Sequence, residues 1–483
     1  MSDKAVRVRI APSPTGYLHV GTGRMAIANY LFARHYGGQF LVRIEDTDKE
    51  RSKPELIEPI LDAFRWLGLD WDEEIVYQST RDERYRECVK ELLDNGHAYK
   101  SYATPEELQK ARDKARAEKK ARWYFREDYE YSDDEIKRRE EAGIGYAIRL
   151  AIPEGESQFD DIVSGTLSRS SDDIEDLIIA RSDGTATYNL AVVVDDHDMG
   201  ISHVIRGNDH VANTFKQICI YEALGWEVPR FGHVPLILRP DRKKVSKRLG
   251  DKDVYAYKDE GILPEALFNF LSLLGWSPKT DQEIYSRDQL IEIFNEANFN
   301  SSNAIFDETK LLAFNQEHLK LKSDHDLATL LSPLLVEAGI YTKYGLETRW
   351  DYFRKVVALL KGRARRVYEM VEMSRYFFDP EFEYDPEADA KRFVPEAADR
   401  LEKLADKYEQ MSSFSHDDTM NGLNELSEEL GIKKAELIHP TRLAVSGVPS
   451  GPGLYDILAI LEKTEVVRRM RRAVDYIRNK KTN

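Results

Sequence analysis

One stretch near the start of the chain decides the fold: residues 6–44 read VRVRIAPSPTGYLHVGTGRMAIANYLFARHYGGQFLVRI. Its first five residues alternate apolar and charged side chains, which is typical of a strand. Residues 23–36 predict a helix, and the pair Gly37 and Gly38 marks a common way to end one. The apolar run at 40–44 predicts a second strand. The stretch therefore predicts a βαβ unit with a parallel pair of strands.

The rest of the chain places this unit within a larger protein. Leu190–Val194 is a second apolar run, which predicts another strand just before an acidic segment. Residues 100–185 combine a charged helical stretch with short strand-like pieces, so we interpret them as an insertion that splits an α/β domain. Beyond residue 250 helical spacing dominates, in the runs 266–276, 350–373, 396–408 and 454–478. The chain is therefore expected to end in a long helical region.

Length and composition narrow the class of protein. The chain has 483 residues, 42 % hydrophobic and 32 % charged, with a net charge of −16. That length predicts about three or four domains, and the composition excludes collagen-like and largely disordered chains. The negative charge argues against non-specific nucleic-acid binding but leaves local basic patches open as contacts.

Cysteine content and hydropathy indicate the compartment. Cys88 and Cys219 are the two cysteines, too few for a disulfide framework or a four-thiolate zinc site, which points to a reducing cytosol. The first residues contain no apolar signal core, and no run is long enough to span a bilayer. We expect a cytoplasmic protein without a membrane partner.

The loop between the first strand and the first helix carries the first candidate chemistry. Glycines and hydroxyls at such a turn let backbone N–H groups and the helix N-terminus approach a phosphate, and His19 adds a donor. A tight loop shaped by proline and glycine is the alternative. The residues also match a dinucleotide pattern through Gly21 and Gly23, with Glu45 as the ribose-binding acid. Residues 11–20 separate that pattern from the strand, which disfavours a nicotinamide enzyme.

A second polar loop, residues 241–250, reads DRKKVSKRLG. Its basic side chains and one hydroxyl suit the binding of a leaving pyrophosphate. A basic surface loop is the commoner explanation of such a segment. The pairing with the first loop, across a split α/β domain, favours the functional interpretation.

Together the two loops resemble the signatures of the class I aminoacyl-tRNA synthetases. His19–Thr22 is similar to the "HIGH" motif, and Lys244–Arg248 is similar to the "KMSKS" motif. Further segments along the whole chain resemble the glutamyl-tRNA synthetases among them: APSPTG at 11–16, IEDTD at 44–48, Tyr188, VVDDH at 193–197, VIR at 204–206, HPTRLAVSG at 439–447 and PGLYDIL at 452–458.

This resemblance implies a fold and a division into domains. The expected fold is α/β, with a split Rossmann-like parallel nucleotide-binding domain, an α+β insertion and C-terminal all-helical bundles. The implied segments are a catalytic domain (1–98 and 187–238), an insertion that binds the tRNA acceptor stem (99–186), a connecting helical domain with the KVSKR loop (239–325), and two anticodon-binding subdomains (326–380 and 381–483).

The resemblance also implies a reaction. Glutamate attacks the α-phosphorus of ATP to give glutamyl-adenylate and pyrophosphate, and the terminal ribose hydroxyl of tRNA(Glu) then takes the glutamyl group. ATP is expected with Mg²⁺, and the enzyme is expected to be a monomer. Positioning and charge stabilisation supply the catalysis, since no protein nucleophile is needed.

The resemblance also implies roles for individual residues, according to their positions in these segments. The implied catalytic residues are His19, Gly21, Thr22, Lys244, Ser246, Lys247 and Arg248. The implied glutamate site contains Arg9, Ala11, Ser13, Glu45, Tyr188 and Arg206, and the implied ATP site contains His19, Gly21, Asp209, Leu236 and Lys247. The implied tRNA contacts are Asp48, Arg51 and Arg363, with Arg363 either reading an anticodon base or contacting a phosphate. Arg9 would grip the substrate side-chain carboxylate with both nitrogens of its fork; a solvent-facing strand residue is the alternative.

Several alternatives stay open at this point. Asp195–Asp198 with His203, Asp209 and His210 has the composition of a metal site, although a polar loop at a strand end near ATP is favoured. Some relatives bind zinc through cysteines in the insertion, where this chain has Ser101 and Ala103, so we expect no zinc. Glutaminyl enzymes carry a glutamate in place of Ser13 and a β-barrel anticodon region, which disfavours that specificity. Basic stretches at 110–126, 361–366 and 468–481 favour contact with tRNA phosphates.

Overall fold

The structure is a computed structural model of the chain, and it describes residues 5–48, 50–120, 123–243 and 252–480. The strands are β1 (Arg7–Ile10), β2 (Gln39–Ile44), β3 (Val76–Tyr77), β4 (Ala98–Ser101), β5 (Ala147–Leu150), β6 (Glu156–Asp161), β7 (Gly165–Ser170), β8 (Ile178–Ala180), β9 (His203–Gly207), β10 (Arg230–Val234), β11 (Ile237–Leu238) and β12 (Ala304–Ile305).

The helices up to residue 293 are α1 (Val20–His35), α2 (Ile57–Leu67), α3 (Asp82–Asp94), α4 (Pro105–Ala117), α5 (Asp133–Glu141), α6 (Tyr188–Asp198), α7 (Val211–Ala223), α8 (Val254–Asp259), α9 (Pro264–Ser272) and α10 (Arg287–Ile293). Those that follow are α11 (Glu308–Leu321), α12 (Asp324–Glu337), α13 (Lys343–Thr348), α14 (Trp350–Leu360), α15 (Glu369–Phe378), α16 (Pro386–Arg392), α17 (Pro395–Gln410), α18 (His416–Glu429), α19 (Ala435–Ser446) and α20 (Leu454–Lys480).

The chain divides into two compact units. The described residues of Met1–Lys258 and Leu267–Glu308 form the first, and those of Asp259–Ala266 and Thr309–Asn483 form the second. The strands lie in the first unit, and the second is built from helices. No helix within the described ranges has the length and apolar character to cross a bilayer.

The predicted βαβ unit is confirmed. β1 and β2 pair in parallel, in a register that sets Arg7 beside Gln39 and Ile10 beside Val42. α1 crosses between them and buries most of its side chains, in keeping with its apolar composition. It begins at Val20, earlier than predicted, because the His19 side chain accepts a hydrogen bond from the first turn and acts as its N-cap.

A second parallel sheet is completed by the insertion. β9 and β10 pair in parallel, and β6 joins β10 in parallel through Asp161 beside Phe231. The antiparallel hairpin of β6 and β7 gives the strand order β7-β6-β10-β9. The strand predicted at 146–152 is confirmed as β5, which lies in a separate antiparallel sheet with β4 and β8. Residues 147–180 therefore contribute strands to a separate sheet and also extend the sheet of β9 and β10.

The strand predicted at Leu190–Val194 is wrong. These residues lie within α6, where every side chain from Leu190 to Asp196 is buried. A short apolar run has no polar face to reveal its period, so a buried helix and a buried strand have the same sequence pattern. The acidic residues that follow consequently lie on the helix rather than in a loop.

The predicted helical region is confirmed in the second unit. α14 and α15 divide the predicted run at 350–373, and α17 and α20 cover the runs at 396–408 and 454–478. α20 is kinked at Glu462, whose φ of 65° lies in the left-handed region. Lys463, the next residue, donates to the carbonyl of Met411 at 2.8 Å and so ties the kink to the end of α17.

A buried cluster of charges lies where β2 meets α6 in the first unit. Arg43 is fully buried, and its Nη1 donates to Asp196 Oδ1 at 2.6 Å. Its Nη2 lies 3.3 Å from Glu45 and its Nε 3.7 Å from Asp195. Burial lowers the pKa of this guanidinium, but the three carboxylates raise it further, so the net shift is upward. Arg43 therefore stays charged and neutralises carboxylates that have little access to water.

Replacing Arg43 with methionine should destabilise the first unit severely. The substitution keeps a long side chain but leaves the carboxylates of Asp195 and Asp196 buried with less compensation, a loss of about 3–5 kcal/mol. The matched control is Arg65→Met, because Arg65 bridges Glu58 and Asp62 on an exposed helix face. The free energy of unfolding of this control should fall by less than about 1 kcal/mol. Urea unfolding of both full-length variants checks the contrast, and equal losses would contradict it.

Candidate active site

A cleft of about 270 Å³ opens in the first unit at the carboxyl ends of β1, β9 and β10, beside the N-terminus of α1. Ligand sites of parallel α/β sheets form at this edge. The side chains and backbone that line the cleft are Arg9, Ile10, Ala11, His19, Gly21, Thr22, Arg24, Met25, Glu45, Tyr188, Ile205, Arg206, Gly207, Asp209, His210, Pro235, Leu236 and Ile237. Most of the site residues predicted from the sequence are thus brought together.

The first turn of α1 forms one wall of the cleft. The backbone N–H of Gly21 donates to Nδ1 of His19 at 3.1 Å, so the neutral ring carries its proton on Nε2. A Cβ at position 21 would lie 3.2 Å from that same Nδ1, so any larger residue there would press on the ring of His19. The free N–H groups and the dipole of a helix N-terminus favour an anion here.

Arg9 projects from β1 into the cleft and is not a surface residue. It is 5 % exposed, and its fork makes two bonds to Asp196, with Nε at 3.0 Å from Oδ1 and Nη2 at 3.2 Å from Oδ2. Arg7, two residues earlier on the same strand, bonds instead to the half-exposed Glu73. The two side chains lie on the same face of β1. Their positions along the strand separate them, because Arg7 stands at its start and Arg9 stands near its carboxyl end, where the cleft opens.

Glu45 and Tyr188 face the same space as Arg9. Burial is the main cause of a raised pKa for Glu45, which the nearby Arg43 and Arg9 partly offset. Burial also raises the pKa of Tyr188 to about 12, so the phenol remains a hydrogen-bond donor. The Tyr188 hydroxyl lies 3.2 Å from Nδ1 of His210, whose own pKa burial lowers to about 4.

Arg206 is the second cationic group of the cleft. It is 7 % exposed, and its Nη2 donates to the Thr214 hydroxyl at 2.6 Å and to Gln217 Oε1 at 2.7 Å. Its Nε lies 3.3 Å from Nε2 of His233. The buried guanidinium groups of Arg9 and Arg206, together with the carboxylate of Glu45, suit a small ligand that carries both anionic groups and an ammonium group.

Asp209 and Leu236, the residues predicted for ATP, lie at the rim formed by β9, β10 and β11. The structure adds Arg24, which sequence analysis missed. Nη1 of Arg24 donates to the carbonyl of Pro235 at 2.6 Å, and burial lowers the pKa of this arginine to about 10. Arg24 thereby fixes the backbone next to Leu236 from the opposite wall.

Other predicted site residues do not line this cleft. Ser13 lies in the loop before it, and Asp48 and Arg51 form an exposed ion pair at 2.6 Å. Arg363 belongs to the second unit, where it follows the end of α14. The remaining predicted residues, Lys244, Ser246, Lys247 and Arg248, lie outside the described residues.

Sequence analysis also missed the role of the charged residues behind the cleft. Asp196 holds Arg9 and Arg43 together, and Asp195 accepts from Tyr85, Gln78 and Arg81. The sequence did contain one signal of this role, which is Arg43 inside the apolar strand FLVRI at 40–44. A buried arginine requires an acidic partner, so its presence there predicts buried carboxylates nearby.

The acidic segment at 195–198 lies on α6, so its interpretation as a polar loop is wrong. Asp195 and Asp196 are bonded to arginines. In the described part of the chain, no group of three or more histidine, cysteine, aspartate or glutamate side chains is arranged to hold a metal. In the insertion, Ser101 Oγ lies 3.2 Å from the hydroxyl of Tyr124, whose ring stacks on Tyr129.

Comparison with known proteins identifies relatives along the whole chain. Residues 5–313 match the family described as tRNA synthetases class I (E and Q), catalytic domain, and residues 326–474 match an anticodon binding domain. A glutamate–tRNA ligase of Geobacter sulfurreducens is 44 % identical over 99 % of this chain and 100 % of its own. That of Thermodesulfovibrio yellowstonii is 43 % identical over 97 % of this chain and 99 % of its own.

A solved structure has the same fold. The glutamate tRNA ligase of Elizabethkingia meningosepticum, crystallised in complex with its amino acid, superposes with a TM-score of 0.87 at 31 % identity, covering 98 % of this chain and all of the other. The expected α/β fold with helical C-terminal domains is confirmed by these matches. With the loop between β1 and α1, the cleft beside it and these matches in agreement, the chain belongs to the class I tRNA synthetases of the E and Q type.

Proposed function

We propose that the chain ligates L-glutamate to the 3′ end of tRNA(Glu) in two steps, through glutamyl-adenylate. The observation that carries the proposal is the cleft itself, in which Arg9, Arg206 and Glu45 lie beside the N-terminus of α1. The curated relatives at 43–44 % identity are glutamate–tRNA ligases over their whole length. A ligand with two carboxylates and one ammonium group matches the charges of that cleft.

Each cleft residue has a proposed role in the first step. Arg9 binds the side-chain carboxylate of glutamate, Glu45 binds its ammonium group, and Tyr188 and Arg206 complete the pocket. Ala11 provides a small wall next to Arg9. The α-carboxylate of glutamate then attacks the α-phosphorus of ATP, and pyrophosphate leaves. The cleft supplies orientation and charge stabilisation for this step.

The ATP side of the cleft is proposed to hold the nucleotide. His19 donates through Nε2 to a phosphate, and Gly21 and Thr22 allow that phosphate to approach the start of α1. Asp209 and Leu236 contact the nucleoside. Mg²⁺ is proposed to enter with the triphosphate as part of the substrate, since the described residues hold no arranged set of metal ligands. Lys244, Ser246, Lys247 and Arg248 are proposed to bind the departing pyrophosphate.

For the second step we propose that tRNA contacts several segments of the chain. The anticodon binding domain match at 326–474 supports a role for the proposed subdomains 326–380 and 381–483. The insertion at 99–186 is proposed to bind the acceptor stem, and Asp48, Arg51 and Arg363 are proposed tRNA contacts. We further propose that the enzyme acts as a cytoplasmic monomer. Glutamine specificity is disfavoured by Ser13 and by the helical anticodon region.

The direct test of this function is ATP–pyrophosphate exchange with glutamate, with glutamine and with no amino acid, each with and without tRNA. Exchange that depends on glutamate, followed by formation of glutamyl-tRNA, is expected. Exchange that depends on glutamine would overturn the proposed specificity, and absence of exchange with any amino acid would overturn the reaction.

Arg9 should determine the choice of glutamate over glutamine. A guanidinium binds a carboxylate through charge-assisted bonds, whereas the amide of glutamine presents an N–H donor to it. Such a mismatch in a built polar pocket discriminates by about 10⁴ or more. Arg9→Ala should lose most glutamate activation with little change in the KM for ATP, and the matched control Arg7→Ala on the same strand should keep both. An Arg9→Ala enzyme that still prefers glutamate would show that another residue reads the side chain.

Lys247 should act on the transition state of activation rather than on ATP binding. Removing a preorganised positive charge that stabilises a leaving group raises the activation free energy by about 3–4 kcal/mol. Lys247→Ala should therefore slow exchange about 10²–10³-fold at an unchanged KM for ATP. Lys243→Ala is the matched control, because Lys243 is an exposed lysine of the same segment, near Asp241. Similar exchange rates in the two variants would remove Lys247 from the mechanism.

The purified enzyme should contain no stoichiometric zinc. The side chains at the proposed positions of thiolate ligands are Ser101 and Ala103, and Ser101 is hydrogen-bonded to Tyr124. Neutral hydroxyl groups are not the ligands that zinc takes in structural sites. Elemental analysis after dialysis against a zinc chelator, with activity measured once magnesium is restored, checks this. Retained zinc that activity requires would contradict it.

A further inference from the structure

A chain of buried hydrogen bonds runs through the second sheet of the first unit and ends at the cleft. It starts at Asp161, the last residue of β6, passes through His233 on β10 and reaches Arg206 on β9. Asp161 Oδ2 lies 2.6 Å from Nδ1 of His233, and His233 Nε2 lies 3.3 Å from Nε of Arg206. The side chains of Asp161 and His233 are completely buried. Three neighbouring strands therefore each contribute one member of the chain.

Asp161 is the anchor of this chain. Its Oδ1 accepts from the backbone N–H groups of Val163 and Ser164 at 2.9 and 2.8 Å. Its Oδ2 accepts from the backbone N–H of His233 at 3.0 Å as well as from the ring. A backbone N–H group can only donate, so both oxygens of this carboxylate must act as acceptors. The proton of the His233 ring must therefore lie on Nδ1.

The other ring nitrogen of His233 is consequently an acceptor. Nε2 lies 2.8 Å from the hydroxyl of Thr214 in addition to its contact with Arg206. Burial lowers the pKa of His233, although the bond to Asp161 opposes that shift. A neutral ring keeps the Nε2 lone pair available to the guanidinium. Phe231 stacks on the ring and Phe159 meets its edge, so the ring has little freedom to turn.

Arg206 is held by neutral acceptors and has no acidic partner among the described residues. Its Nε faces His233, and its Nη2 donates to Thr214 and Gln217. Its Nη1 is buried and has no hydrogen-bond partner in the described part of the chain. A buried cation held in this way has one donor group left for a ligand of the cleft, and an anion would compensate its charge.

We propose that Asp161 and His233 are positioning residues that hold Arg206 so that its Nη1 binds a carboxylate of the amino-acid substrate. The proposal rests on the proposed function for the identity of that substrate. Asp161 lies within residues 99–186, the segment proposed as the acceptor-stem insertion. The amino-acid pocket therefore depends on a residue outside the two catalytic segments, 1–98 and 187–238.

The kinetic test compares three variants of the full-length enzyme by exchange in the presence of tRNA. His233→Leu removes the acceptor and should raise the KM for glutamate about 10–100-fold, the range for a lost hydrogen bond to a charged group. The KM for ATP should change little. His233→Gln places a side-chain oxygen within reach of Arg206 and should restore most of the glutamate affinity. The control is His203→Gln, which changes a half-buried histidine at the start of β9 and should leave the KM for glutamate unchanged.

The spectroscopic test reads the ring directly and does not depend on activity. Histidine labelled with ¹⁵N in both ring positions should show the His233 proton on Nδ1, with the signal assigned by its loss in His233→Gln. In Asp161→Asn the amide group faces the ring with an N–H donor and should move that proton to Nε2. The same variant should raise the KM for glutamate, because an Nε2–H no longer accepts from Arg206.

The outcomes separate the two proposals. Glutamate-independent exchange in the unmodified enzyme would overturn the proposed function. Normal wild-type exchange, with an unchanged KM for glutamate in a folded His233→Leu variant, would overturn the positioning role alone. The positioning role would also be overturned by a wild-type His233 ring protonated on Nε2. An equal rise in the KM for glutamate in His233→Gln and His233→Leu would overturn it as well.

Discussion

The buried contact between Arg43 and Asp196 is the constraint on which the active site depends. Arg43 comes from β2 and Asp196 from α6, two elements more than a hundred residues apart, and both side chains are nearly inaccessible to water. Neither charge is tolerated there without the other, because isolated charges are costly to bury. The pair therefore sets where α6 lies against the first βαβ unit. Tyr188, at the start of α6, is delivered to the cleft by the same contact.

The sharing of Asp196 also determines how Arg9 meets a ligand. Oδ1 of Asp196 accepts from both Arg9 and Arg43, so the carboxylate remains compensated by Arg43 if Arg9 turns towards a substrate. Without Arg43, every bond that Arg9 makes to a ligand would expose Asp196 as an unpaired buried charge. Arg206 has the opposite arrangement, since its partners are neutral and its charge is left to the ligand. Arg9 and Arg206 are thus held by different means, Arg9 by an acid and Arg206 by a neutral network.

Sequence analysis identified the residues that belong to short sequence motifs. It missed the residues whose role depends on contacts with distant parts of the chain. The strands and helix of 6–44 follow from alternation and end signals within the segment itself. Arg9 and Glu45 were assigned through motifs, and both line the cleft. Asp196 was placed in a loop because the preceding run has no polar face to show a helical period. His233, which contacts Arg206, and Asp161, which bonds to His233, are separated by 72 residues and meet only through strand pairing.

The long loop between β1 and α1 shows why the dinucleotide pattern was a poor guide. Pro12 and Pro14 have no N–H to satisfy, and their carbonyl groups accept from Glu45 and Lys53 at 3.0 and 2.9 Å. The loop is thereby bonded to the segment that follows β2, and Glu45 is held beside the end of β1. A direct strand-to-helix turn would lack these carbonyls and would leave that carboxylate without a fixed backbone. The nine residues that separate the strand from the helix therefore build the amino-acid side of the cleft, while the helix start at Val20 builds the phosphate side.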